Sequence, residues 1–295
     1  MKQKNKKQLF TLLKIVITIA LLYFVFNKIP LAEVLTEIKK ANIFLLFLSL
    51  CCFVLSQWVS AERLLQILRI INFSITRKAN NILYLIGMFY NFFIPGGIGG
   101  DAYKVYLLNK QFNWSVKKLS AALLIDRLMG LVAIVLLLVS FFIFIPYFKN
   151  LSLIWIFPVL MMLIIVISYY ITKRLFPSFV QAYKKALIQS IILQSLQCLC
   201  IVFIMESITE IDNYAPYLIL FLVSSVLSIF SFSGVGIREL VFYQASIIFV
   251  FDTTSLVTTG VLFSAMTAFV SLFGIVFHFM KPEKYIKEYQ YISNV

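Results

Sequence analysis

The chain is written in long apolar runs separated by short polar connectors. Full-length spans are predicted at 9–27, 42–60, 119–146, 151–172, 186–205 and 254–280, since about 20 apolar residues in a helix cross ~30 Å of hydrocarbon. The first, Leu9–Asn27, follows Lys2, Lys4, Lys6 and Lys7. A signal peptide also opens with lysines, but there is no small-residue cleavage site and the apolar run is too long, so it reads as an uncleaved span. Segment 30–41 puts Leu31, Val34, Leu35 and Ile38 on one face behind Pro30, the pattern of an interfacial helix.

Two further apolar regions, 80–110 and 213–251, are broken near the middle, and six of the ten glycines lie in these breaks. No helix continues unbent through Pro95-Gly96-Gly97-Ile98-Gly99-Gly100. About 15 residues precede this break, roughly 22 Å of helix and short of a crossing. Two half-length helices meeting at a glycine turn describe a re-entrant hairpin. The second break, at Gly234-Val235-Gly236-Ile237-Arg238-Glu239, can be laid on Gly97-Ile98-Gly99-Gly100-Asp101. The fold class expected is therefore all-α: a polytopic membrane helix bundle in one domain over 1–295, with about six full spans and two re-entrant hairpins in an inverted repeat.

Charge supports this topology. With the N-terminus in the cytoplasm and both breaks as hairpins, 21 of the 26 basic residues fall on the cytoplasmic side with both termini. That tally includes Arg63, Lys104 and Arg127. Composition agrees: 62% of the 295 residues are hydrophobic and 13% charged, against about half and a quarter in soluble domains. Mean hydropathy is +0.97. The polar stretches leave no room for a soluble catalytic domain. Cys51, Cys52, Cys198 and Cys200 lie inside apolar runs as packing residues. No metal, cofactor or nucleic-acid partner is expected.

Unwound backbone at membrane depth is tolerated only where it faces a cavity or ligand. The helices resuming near Asp101 and Ile237 present N–H donors and a partial positive charge to an anion. The expected backbone anion site therefore comprises Gly96, Gly97, Gly99, Gly100, Gly234 and Gly236. The side chains expected to bind substrate are Asp101, Lys104, Asp126, Arg127, Arg238 and Glu239. Arg238 offers a fork of donors suited to phosphate, and Asp126 and Arg127 are ionisable groups inside an apolar run. Simpler roles compete: Asp101 as a helix cap paired with Lys104, Arg127 snorkelling to headgroups, and His278, the single histidine, as packing.

The motifs N-F-F-I-P-G-G-I-G-G-D-A-Y-K at 91–104, D-R at 126–127 and S-G-V-G-I-R-E at 233–239 resemble the flippase-like transmembrane region of lysylphosphatidylglycerol synthases and its stand-alone relatives. The resemblance covers essentially the whole chain. It implies transfer of an anionic or aminoacylated phospholipid between leaflets of a bacterial inner membrane, with Asp101, Arg127, Arg238 and Glu239 at the family's polar positions. Lys104 stands where arginine is expected, Ser233 replaces part of a Pro-Gly-Gly, and the synthases' aminoacyl-transferase domain is missing. The chain is accordingly expected to be no enzyme. Two other readings remain at this point. One is a non-catalytic membrane subunit of a separately encoded glycosyltransferase or lipid-modifying enzyme. The other is an intramembrane protease, using Asp101 with Asp126 or Ser233 with His278.

Overall fold

The structure, a computed structural model, describes residues 23, 31–93, 99–145, 155–228, 234–280 and 282–286. The expected span 9–27 apart from Tyr23, Pro30, the turn residues Pro95, Gly96 and Gly97, and Ser233 lie outside the described residues. Among those described there are ten α-helices and no β-strand. They are α1 Leu31–Lys40, α2 Ile43–Ile70, α3 Arg77–Phe93, α4 Gly99–Phe112, α5 Val116–Phe142, α6 Ile156–Leu175, α7 Tyr183–Glu206, α8 Ala215–Leu227, α9 Ile237–Phe249 and α10 Thr253–Phe279. Five of them (α2, α5, α6, α10, and α7 with the preceding turn from Pro177) are long and apolar enough to cross a membrane. They coincide with five of the six expected spans.

Local chemistry sets the ends of these helices. Ser115 caps α5 by accepting from the Lys118 N–H, and Asn42 does the same for α2 by accepting from Phe44 N. Just beyond α2 and α4, Asn72 and Asn113 take positive φ of 62° and 55°, a conformation that closes helix C-termini and that asparagine tolerates. Pro177 follows α6 and opens a 3-10 turn. One boundary differs from expectation. The span expected to stop at residue 60 continues as α2 to Ile70, carrying Glu62 and Arg63 into the protein at 8% and 5% exposure.

Both broken regions are hairpins whose ends meet. Phe73, just before α3, stacks on Trp114, just after α4, with ring centroids 4.5 Å apart and planes 3° from parallel. Tyr217 near the start of α8 meets Phe251 just past α9 at 4.6 Å. Run straight, the 34 residues from Tyr217 to Phe251 would span about 50 Å of helix, so in each region the chain returns to the end it left.

The chain divides into two compact units. One comprises 1–54, 88–100 and 197–272; the other comprises 55–87, 101–196 and 273–295. The second is built around Leu64, Leu68, Leu83, Leu107, Leu119 and Ile125, all nearly inaccessible. In the first, Phe263 lies edge-on to Phe53 and Phe221 at 5.5 and 5.0 Å. There α1 lays Val34 and Ile38 against Val257, Leu240 and Tyr243, which fits its expected amphipathic face, although Leu35 is 54% exposed.

Candidate functional site

In the unit containing 101–196, the helix after the first break places Asp101 in its first turn and Lys104 one turn on. Asp101 is held on both oxygens. Arg127 Nε donates to Oδ2 at 2.6 Å, and Lys104 Nζ lies 3.4 Å from Oδ1. Lys104 is sunk into the hairpin. Its side chain is 6% exposed, its ammonium sits 4.6 Å from the centre of the Tyr84 ring, and its stem runs along Gly87. A Cβ at Gly87 would come 2.4 Å from Lys104 Cε. The slim aliphatic stem passes the bare glycine, and the ammonium sits over the ring face.

Asp126, beside Arg127 on α5, points to a different partner. Arg63 of α2 grips it with both prongs of its guanidinium, Nε to Oδ1 at 2.7 Å and Nη2 to Oδ2 at 3.0 Å. The third donor of Arg63, Nη1, goes to Ser190 Oγ at 2.7 Å. Tyr84 closes the circuit by donating to Ser60 Oγ at 2.7 Å, which lies one turn before Arg63. Adjacent residues on α5 thus lock into α2 on one side and into the hairpin on the other. Arg127 lies nine residues beyond Lys118, about 14 Å along the helix. There Arg127 pairs with Asp101 while its own side chain stays 42% exposed.

The other unit holds Arg238 and Glu239, buried to 5% and 1% exposure at the start of α9. Gly234 and Gly236 turn the chain with φ of 92° and 85°, backbone that favours glycine. The Glu239 carboxylate reaches back to accept the Gly236 N–H at 2.7 Å and the Ser264 hydroxyl at 2.8 Å. Arg238 Nη1 donates to the same Ser264 at 3.1 Å, and its guanidinium lies 4.5 Å from the Phe263 ring centre. The anion at this helix start is therefore the chain's own carboxylate. At the first break, similarly, the Gly100 N–H is taken by Asn91 Oδ1 at 2.8 Å. Two of the peptide groups expected to face a ligand are thus occupied internally, while Gly99 opens α4 and Gly96 and Gly97 lie outside the described residues.

The structure brings together Asp101, Lys104 and Arg127, and separately Arg238 and Glu239. Asp101 and Asp126 are each bound to an arginine, and His278 Nδ1 meets the Tyr103 hydroxyl at 3.3 Å; Ser233 lies outside the described residues. Sequence reasoning missed Arg63, Tyr84, Ser190 and Ser264. A signal for Arg63 exists, because Ser56, Ser60 and Arg63 recur at spacings of four and three on one helix face. Among the described residues no cluster of His, Cys, Asp or Glu is arranged to hold a metal.

Apolar spans, hairpins that return to the end they left, and ion pairs buried among these helices define a multi-pass membrane protein with a charged interior. The chain belongs to the lysylphosphatidylglycerol synthase TM region family, whose model matches residues 11–274. No curated protein and no solved structure matches it.

Proposed function

We infer that this protein moves phospholipids between the leaflets of a bacterial inner membrane, with the headgroup phosphate engaging the Asp101–Lys104–Arg127 cluster while the acyl chains stay in hydrocarbon. The observation that carries this reading is the Arg127–Asp101 pair: a guanidinium deep in a span, bound to a carboxylate in the first turn after a glycine break. Ionisable groups at such depth are expensive and serve a polar pathway. Arg127 is the exposed member, its side chain 42% accessible against 17% for Asp101 and 6% for Lys104. Its planar fork matches a phosphodiester. A phosphate can take the place of one Asp101 oxygen on Arg127, while Lys104 keeps that carboxylate compensated. Membership of the family supports the same reading, and the basic residues flanking the spans favour cytoplasmic termini.

The test is leaflet exchange of an acyl-labelled phospholipid in proteoliposomes, read by quenching the outer leaflet with a membrane-impermeant reductant. Asp101→Ala and Arg127→Ala should each bring exchange toward the protein-free rate. Exchange unchanged in both would remove the cluster from transport.

A further inference from the structure

In the unit containing 101–196, the hydrogen bonds of Arg63 bring several helix ends to one level. Arg63 stands seven residues before the end of α2. It bonds Ser190, seven residues after the start of α7, and Asp126, ten residues after the start of α5. Tyr183, the first residue of α7, meets Ser168 in the last two turns of α6 at 2.6 Å. The end of α6 and the starts of α5 and α7 therefore lie at the same end of the bundle as the end of α2.

Each of these three helices carries a pair of adjacent cations there: Lys117 and Lys118 on α5, Lys173 and Arg174 on α6, Lys184 and Lys185 on α7. All six are exposed, and among the described residues none forms an ion pair. The two carboxylates near this end are engaged elsewhere, Glu62 with Arg77 and Glu283 with Lys110. One turn deeper on the same helix faces stand Ile171, beside Arg174, and Ile188, beside Lys184, 47% and 49% exposed. Each face thus offers a cation at the rim and an aliphatic side chain in hydrocarbon, in the order in which a phospholipid presents its phosphate and its acyl chain.

Two observations favour lipid over a soluble acidic partner. The connector between α4 and α5 is three residues long, and the turn from Pro177 is pinned by Phe179 and Ala182, each 4% exposed. The cations are therefore held within a turn of the helix ends, at headgroup depth, instead of being carried out on a projecting loop. Helix α6 also lies almost wholly open: 6% of its apolar stretch is buried, against 44% in α5 and in α7, so lipid surrounds the helix that carries Lys173 and Arg174.

We propose that this end of the bundle binds anionic phospholipids of the adjoining leaflet as a boundary layer, with phosphates on the three cation pairs and acyl chains along the aliphatic faces above them. Such binding is separate from transport and does not rest on it.

The experiment uses electron spin resonance on the purified protein in phosphatidylcholine vesicles containing acyl-chain spin-labelled phosphatidylglycerol or phosphatidylcholine. The motionally restricted boundary fraction should favour phosphatidylglycerol several-fold; one cation near a membrane surface gives about fivefold, from about 1 kcal/mol. High salt should bring the two probes toward equality. Replacing Lys117, Lys118, Lys173 and Arg174 together by glutamine should abolish most of the preference, whereas Lys39→Gln with Lys40→Gln, on α1 of the other unit, should leave it. Equal boundary fractions for the two probes in the native protein overturn the proposal. So does a native preference that high salt leaves intact, which decides the matter even where the fourfold variant fails to insert. A preference kept by an inserted fourfold variant, or lost equally in the α1 variant, removes these helix ends as its source.

Discussion

Replacing Arg63 by methionine removes a guanidinium that makes two bonds to Asp126, at 2.7 and 3.0 Å, and one to Ser190 at 2.7 Å. The stem volume is roughly kept, so the loss is electrostatic. Asp126, with a side chain 13% exposed, becomes a buried carboxylate without its bidentate partner, which costs about 3–5 kcal/mol. At roughly 2–4 °C per kcal/mol, the melting midpoint in detergent should fall by at least ~6 °C. The paired change Arg63→Met with Asp126→Leu removes both charges and should return to within about 1 kcal/mol of the native protein, because a buried ion pair contributes little over a well-packed apolar pair. Lipid exchange should not return with it. The Arg63–Asp126 clamp fixes the register of α5 from which Arg127 reaches Asp101, and an apolar pair does not reproduce that orientation. Thermal midpoints and proteoliposome exchange on the two variants separate these effects. An Arg63→Met protein as stable as the native one, or a double variant with native exchange, would refute the reasoning.

Other substitutions follow from the same geometry. Gly87→Ala should dislodge the Lys104 side chain, since the new methyl lies 2.4 Å from Cε. The lysine end is flexible, so stability in a thermal melt should change by no more than about 1–3 kcal/mol. Gly234→Ala meets both a φ of 92° and contacts of 3.1 Å to Arg238 Nη2 and 3.2 Å to Ser228 Cβ; a loss of about 1–3 kcal/mol is expected in a thermal melt. Glu239→Ala leaves the Gly236 N–H and the Ser264 hydroxyl without their acceptor, so about 2–3 kcal/mol should be lost, whereas Gly260→Ala, whose Cβ meets its neighbours no closer than 3.4 Å, should gain up to ~1 kcal/mol.

The long spans are legible in the sequence because burial in hydrocarbon depends on run length and little else, so α5, α6, α7 and α10 fall close to their expected bounds. The hairpins are legible because glycines and a proline cannot sit inside a continuing helix. Asp101, Lys104 and Arg127 are visible as charges where charges are expensive. Their pairing is less so. Asp126 and Arg127 are neighbours in sequence but point about 100° apart on a helix, so each finds its partner on a different element. Arg63 looks like the polar end of a span, and only the continuation of α2 to Ile70 makes it an interior residue. Glu239 reads as a ligand contact from its motif; its hydrogen bond to its own helix start was not foreseen, although a carboxylate three residues into a helix can reach back to the capping N–H.

The most direct test of the central claim, that the Asp101–Arg127 pair handles the lipid headgroup, is exchange by charge-swapped protein in proteoliposomes. Asp101→Arg and Arg127→Asp should each reduce exchange to the protein-free level, since each juxtaposes like charges where the pair now stands. Asp101→Arg combined with Arg127→Asp should recover a measurable part of it by restoring the pair. Native-level exchange in both single variants would contradict the account.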